Sequence, residues 1–437
     1  MASSSPAAPA GVSPARVCAY AVLRRVFEHG AYADRALHAE ARGLDGRERA
    51  FAMVLVYTTV QRRDTLDHIA ARLLNDRSVD TLQPAVRAVL RLGLAQLLLL
   101  DGVAPHAAVH ESVELAKRDA PRGAGLVNAV LRRAGREGAE ILAGLDDATP
   151  EHAAVLHSVP VWLAQLWWRE LGAEEARALL AAVNRPAEAA LRVNTLVATP
   201  AEVLAQLPVP ARTAPGSAEG LVLEAPFDAH GSPLWERGAI MPQSRGSMAV
   251  GAAVGARAGE SVLDLCAAPG GKTTQLAALM GDQGTVVAVE RHPGRAQALE
   301  RTVARMHVTC ARVEVADATR TVAGRFDRVL VDPPCSGLGT LQSRPDLRWH
   351  ASPARIAELV PLQARILRAG ADATRAGGTL VYSVCTISRA ESEDVVEAFL
   401  GDHPEFEPTG DGENRYRRIS PARDGTDGFF IAVLSRR

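Results

Sequence analysis

The chain has 437 residues, 47% hydrophobic and 23% charged, with a formal net charge of −1. That length calls for about two to four domains, and the apolar content argues against a disordered chain. The near-zero charge rules out reading nucleic-acid binding from bulk charge alone. Five cysteines, Cys18, Cys266, Cys310, Cys335 and Cys385, are odd in number and far apart, with no C-x-x-C pair. They argue against a disulfide framework or a structural zinc site, so a reducing cytoplasm fits and no metal is expected.

Residues 1–14 are rich in Ala, Ser and Pro and read as a disordered tail, not a signal peptide. Residues 15–140 carry apolar positions at helical spacing, such as Leu66, Ile69, Ala70 and Leu73, and predict an all-helical domain of five to seven helices. The longest apolar run, Val89–Leu100, is too short for a membrane span. Residues 14–140 hold 19 Lys and Arg against 15 Asp and Glu; the rest of the chain holds 30 against 35. The mild basic excess therefore sits at the N-terminal end, where it hints at a nucleic-acid contact. Nearly all of the cations are arginine; only Lys117 and Lys272 are lysine. In so Ala- and Gly-rich a chain this reads as coding bias, so the arginines are not taken as selected for phosphate.

Residues 141–247 read as a helical and β-containing connector. Two helices are expected over 138–185, one begun by Pro160, and Trp162, Trp167 and Trp168 are expected to pack between helices. From 248 to 437 short β-rich runs alternate with helical stretches. The strands are expected at Val262–Leu265, Val286–Val289, Ala311–Val315, Arg328–Val331, Thr379–Val384 and Phe429–Leu434. This alternation predicts a parallel, doubly wound α/β sheet, whose ligands lie beyond the carboxyl ends of the strands.

After the first of these strands comes Asp264-Leu-Cys266-Ala267-Ala268-Pro269-Gly270-Gly271-Lys272-Thr273. It is neither a P-loop, because Cys266 stands where the first glycine belongs, nor a dinucleotide fingerprint. A glycine turn opening a helix suits a ligand carrying a carboxylate. Glu290 ends the second strand, where an acid can bind ribose hydroxyls. Asp317 follows the third and could reach an adenine amino group or cap a turn. Together these point to S-adenosylmethionine.

The fourth strand leads into Asp332-Pro-Pro-Cys335-Ser-Gly337, and the fifth into Tyr382-Ser-Val-Cys385-Thr386. A lone cysteine is ordinarily a packed small apolar group, the reading adopted for Cys18 and Cys310. Two cysteines at neighbouring strand ends instead suit covalent catalysis. A thiolate adding to C6 of cytosine makes C5 nucleophilic enough to take a methyl group, and Asp332 could hold the N3/N4 edge of the ring.

At these residues the chain resembles the bacterial Sun/RsmB-type (Fmu) RNA cytosine-C5 methyltransferases. The matching stretches are LDLCAAPGGKTT (263–274), VDPPCSGLGT (331–340), RPDLRW (344–349), GGTLVYSVCT (377–386) and DGFF (427–430). HAAVHESVELAK (106–117) and LVNAVLRR (126–133) are similar to the NusB-type RNA-binding domain of that subfamily. The resemblance implies an all-α NusB-like domain followed by a Rossmann-like methyltransferase domain that acts on 16S ribosomal RNA. It implies S-adenosylmethionine held by Cys266–Lys272, Glu290, Asp317 and Asp332, with Cys385 as nucleophile and Cys335 serving product release. The family's usual threonine before the nucleophile is Val384 here, and of its V-Q-D segment only Gln243 remains, within Met241–Arg245. A cytoplasmic monomer is expected, acting on naked RNA or an early assembly intermediate and not on a membrane. The alternatives are transfer RNA or DNA as substrate, or a chiefly RNA-binding assembly or antitermination factor.

Overall fold

The computed structural model describes residues 11–320, 322–412 and 415–437. These pack as two compact units, one of residues up to Asn184 plus Arg344–His350, the other of Arg185–Ser343 plus Ala351–Arg437. Residues 1–10 of the expected tail lie outside the described residues. Residues 11–14 do not behave as a tail, since Val12 is buried and the Ser13 N–H donates to Glu111 Oε2 at 2.8 Å.

The first unit is helical: α1 (Pro14–His29), α2 (Ala33–Glu40), α3 (Gly46–Gln61), α4 (Arg63–Leu73), α5 (Pro84–Leu98), α6 (Pro105–Asp119), α7 (Ala124–Ala143), α8 (Pro150–His157), α9 (Val161–Leu171) and α10 (Ala173–Ala182). Proline opens α1, α5, α6 and α8, where no helical N–H is lost. Asp45 caps α3 by accepting from the Glu48 N–H at 2.8 Å. Tyr20, Leu23, Leu55, Leu66, Ile69 and Leu90 are buried in its centre. Arg91, also buried, makes a two-pronged pair with Asp67 at 2.7 Å on both oxygens. Residues 138–185 contain the end of α7 and three further helices where two were expected, because Gly172 separates α9 from α10. Trp167 is fully buried on α9.

Arg344–His350 belongs to this unit although it is remote in sequence. Arg348 is fully buried and donates to the carbonyls of Gln61 (3.1 Å), Ser158 (2.9 Å) and Val183 (3.2 Å) and to Asn184 Oδ1 (3.0 Å). The Trp349 ring N–H donates to the Val60 carbonyl at 2.8 Å.

The second unit begins with β1 (Ala190–Val193), α11 (Pro200–Gln206), β2 (Ala211–Thr213), β3 (Gly220–Leu223), α12 (Pro233–Glu236) and β4 (Ile240–Pro242). The strands form an antiparallel sheet of order β2-β3-β1-β4. The stretch 141–247, expected as one connector, is thus divided between the two units. Helices α8 to α10 bury apolar faces in the first, and the strands, with α11 and α12, belong to the second.

Then follow α13 (Arg245–Val254), β5 (Ser261–Leu265), α14 (Gly271–Leu279), β6 (Thr285–Glu290), α15 (Pro293–Arg305), β7 (Ala311–Val315) and β8 (Phe326–Val331). The chain continues with α16 (Leu347–His350, within the segment already described), α17 (Pro353–Ala373), β9 (Thr374–Val384), α18 (Glu393–Asp402), β10 (Phe406–Pro408), β11 (Arg417–Ile419), α19 (Pro421–Asp424) and β12 (Phe429–Arg436). The sheet order is β10-β12-β9-β8-β5-β6-β7, with β11 paired to β12. Strands β5 to β9 are parallel, as expected, but β10, β11 and β12 pair antiparallel, so the sheet is mixed. Alternate residues face opposite sides: Val262, Val286, Leu330 and Val381 join one core cluster, Leu263, Val287, Val329 and Leu380 the other. Helices therefore cover both faces, which leaves the strand ends for chemistry.

Candidate active site

Sheet register brings the motifs together. Leu265 pairs with Val331, and Val331 with Tyr382, so β5 and β8 end level and β9 runs two residues further, to Val384. Three loops therefore leave from one edge, beginning near Cys266, Asp332 and Cys385.

The first loop turns sharply. Cys266 has φ +66° and Gly270 φ +103°, a conformation that glycine alone adopts freely; a Cβ on Gly270 would lie 2.7 Å from Leu299 Cδ1. The turn is tied to β6 by the Ala267 N–H, which donates to the Val289 carbonyl at 3.0 Å. Beneath it runs a buried relay. Arg192 Nε donates to Gln243 Oε1 (2.8 Å), and Gln243 Nε2 donates to Gln275 Oε1 (2.9 Å). Arg192 Nη2 reaches Thr274 Oγ1 (2.8 Å) and the Gly271 carbonyl (3.3 Å). Gln243 thus braces the start of α14 and also borders the cleft above it. That cleft, of about 180 Å3, is lined by Gln243, Asp264, Ala268, Gly271, Lys272 and Asp332, among others.

Two residues of the cleft do more than their sequence positions suggest. Lys272 aims across it, its Nζ 2.7 Å from Asp332 Oδ2. Burial pulls the ammonium down, but the neighbouring Asp332 charge outweighs this and the net direction is up, so it stays charged. A thiolate at Cys385 acts on it in the same sense. Asp264, buried at the end of β5, accepts from the Thr273 hydroxyl at 2.6 Å through Oδ2, while Oδ1 has no partner. Burial, reinforced by the Asp332 charge, pushes its carboxyl up to about 7. Sequence reading passed over Asp264, since only its orphaned oxygen marks it out.

The remaining acids sit at their strand ends. Glu290 is buried, accepts from the His292 N–H at 2.9 Å and lies 3.6 Å from Arg295. Asp317 Oδ1 accepts from the Thr319 N–H (3.0 Å) and hydroxyl (2.8 Å), closing a turn of the loop, and these bonds hold its carboxyl below the usual range.

The two thiols predicted to meet do meet. Cys335 Sγ and Cys385 Sγ are 3.3 Å apart, a non-bonded distance well beyond the roughly 2.05 Å of a disulfide. The Cys335 thiol is pushed well above its usual value by the hydrogen bond with Cys385 and by burial, so it keeps its proton. Cys266 is pushed up to about 12 by burial and the nearby acids, and is no rival nucleophile. The Cys335 loop is knotted to both neighbours: the Gly339 N–H donates to the Cys385 carbonyl (3.0 Å), and the Gly428 N–H to the Gly339 carbonyl (2.7 Å). A Cβ on Gly339 would sit 2.2 Å from the Gly428 oxygen, so only glycine fits. Cys18 and Cys310 take no part; burial raises both thiols, to about 11 and about 12.

Comparison with known proteins gives the family. A family model described as 16S rRNA methyltransferase RsmB/F matches residues 252–435, and a NusB family model matches 13–136. An RsmF/B-like ferredoxin-like domain matches 159–230. The chain is 37% identical to the "Probable ribosomal RNA small subunit methyltransferase B" of Synechocystis, over 97% of this chain and 99% of that one. It is 38% identical to the ribosomal RNA small subunit methyltransferase B of Thermus thermophilus, over 89% of each. The crystal structure of the protein PH0851 superimposes with a TM-score of 0.81 at 26% identity, covering 97% of this chain and 99% of that one. The chain therefore belongs to the RsmB/F family of S-adenosylmethionine-dependent 16S rRNA methyltransferases, with a NusB-family domain at its N-terminal end.

Proposed function

We propose that this chain methylates C5 of a cytosine in 16S ribosomal RNA through a covalent bond between Cys385 Sγ and C6 of the base. The observation behind this is the thiol pair, 3.3 Å apart, with Cys385 close enough for its charge to act on Lys272, which lines the cleft read as the place of the methyl donor. Two features of the cleft support that fit. The glycine turn leaves backbone N–H groups at the start of α14 for a carboxylate, and the orphaned Asp264 oxygen calls for a donor or cation. Ala267, Ala268, Pro269 and Gly270 would form the wall of the turn, Glu290 would bind ribose hydroxyls and Asp317 the adenine amino group.

Bound S-adenosylmethionine supplies an electrophilic methyl group on a sulfonium. The Cys385 thiolate forms the Sγ–C6 bond with its lone pair; the C5–C6 π pair shifts to C4–C5, and the C4–N3 pair moves onto N3. C5 then bonds the methyl carbon as N3 returns its pair, and the methyl–sulfur bond breaks with its pair left on the donor's sulfur. Asp332 accepts from the exocyclic amino group through one oxygen, while Lys272 donates to the other at 2.7 Å. Before addition, Cys335 keeps its proton because it donates a hydrogen bond to the neighbouring thiolate. Once that sulfur is a thioether, Cys335 can lose its proton to solvent water and take the one on C5. The C5–H pair then rebuilds the C5–C6 bond, and Cys385 leaves with the Sγ–C6 pair. The helical unit is read as the part that grips RNA, with the protein a cytoplasmic monomer acting on naked RNA or an early assembly intermediate.

The test uses the full-length protein with 16S RNA and the methyl donor. Cys335→Ala should leave a protein–RNA adduct that survives denaturing electrophoresis, and Cys385→Ala should yield neither adduct nor 5-methylcytosine. Turnover by Cys385→Ala, or normal turnover without adduct by Cys335→Ala, would overturn the reading.

A further inference from the structure

Glu391 lies in the turn between β9 and α18, fully buried, 55 residues from the Cys335 loop to which it bonds. Its carboxylate accepts from the Ser336 N–H (2.8 Å), the Ser336 hydroxyl (2.5 Å), the Thr386 hydroxyl (3.2 Å) and Gln363 Nε2 (3.0 Å). Ser336 follows Cys335 and Thr386 follows Cys385, and the two hydroxyls are 2.8 Å from each other. Gln363, on α17, also donates to the Pro334 carbonyl at 3.0 Å, so the residues on both sides of Cys335 are fastened. The Glu391 carbonyl accepts from the buried Tyr382 hydroxyl at 2.7 Å, which anchors the grip to β9.

All four donors are neutral. Burying a carboxylate without a cation is costly, and an apolar side chain would fill the space more cheaply. Such a group persists where its charge or its acceptor geometry serves the site. One carboxylate can accept from several convergent donors, whereas an amide at the same place offers one oxygen and turns an N–H toward them.

We propose that Glu391 is a positioning residue that sets the Cys335 and Cys385 sulfurs against each other by gripping the residue after each. The inference rests on the two-cysteine reading above. Glu391 touches neither sulfur; it acts through Ser336 and Thr386. Its negative charge also helps keep the Cys335 proton in place, in the same direction as burial.

The experiment compares wild type, Glu391→Gln and Ser336→Ala as full-length proteins. Glu391→Gln should lower kcat about 100-fold while KM for RNA and Kd for S-adenosylmethionine change less than about twofold. In a Cys335→Ala background it should slow adduct formation by a similar factor. Alkylation of Cys335 by iodoacetamide should move to lower pH in Glu391→Gln, a shift that loss of packing alone does not predict. Ser336→Ala, which keeps the buried charge but removes one grip, should fall between, with the alkylation profile unmoved. Glu391→Gln with wild-type kcat, or with kcat, KM and cofactor affinity all degraded together, would overturn the inference. If wild type itself forms no adduct and no 5-methylcytosine, the underlying reading fails instead.

Discussion

Asp264→Asn tests whether the orphaned carboxyl oxygen belongs to the methyl donor. Burial holds this carboxyl at about 7 where an ordinary one lies at 3.8. A rise of about three units corresponds to about 4 kcal/mol against ionisation, at ~1.4 kcal/mol per unit. A cationic group at Oδ1 offsets much of that cost, because a charge-assisted hydrogen bond contributes about 1.5–3 kcal/mol. Asparagine keeps the shape and loses the charge, so affinity for S-adenosylmethionine should fall roughly 10- to 150-fold. The wild-type pH dependence follows in sign. Below pH 7 the site must release a proton to bind, so affinity should rise with pH and level off above about 7, whereas Asp264→Asn should be flat. Stability should move the other way. A raised carboxyl contributes stability that is complete below pH 3.8 and lost as pH rises through about 7, so Asp264→Asn should stabilise the ligand-free protein at pH 8. Calorimetric titration between pH 5.5 and 8.5, with thermal melts of the free protein, measures both. Equal affinity, or the same pH slope in both proteins, would refute the assignment.

Lys272→Gln removes the charge that sits beside Asp332. Adduct formation in a Cys335→Ala background should slow about tenfold or more, because Asp332 then meets the ring without its cation; a rate independent of this substitution would contradict the role. Arg348→Ala should destabilise the helical unit by about 3–5 kcal/mol, since it strands Asn184 and three backbone carbonyls in the interior. Its melting temperature should drop by roughly 10 °C, and an unchanged melt would show that the Arg344–His350 segment is not part of that unit's core.

The sequence was most legible where function is written into short stretches. The glycine turn over Cys266–Lys272, the acids at Glu290 and Asp317, and the cysteines at 335 and 385 all follow from one rule: parallel strands present ligands at their carboxyl ends. An all-helical domain of five to seven helices over residues 15–140 follows equally from apolar spacing, and seven α-helices are found among the described residues from Pro14 to Ala143. Distance along the chain hid the rest. Nothing local says that Lys272 pairs with Asp332 60 residues on, that Glu391 grips Ser336, or that Arg348 satisfies carbonyls from Gln61 to Val183. The antiparallel β12 was equally silent, because a strand's own pattern of apolar residues does not record its partner's direction. Periodicity and turn chemistry report on neighbours a few residues apart, so sequence alone determined the elements and the residue types at their ends. Only the folded sheet decided which of those side chains face one another, because hydrogen bonds across tens of residues leave no period to read.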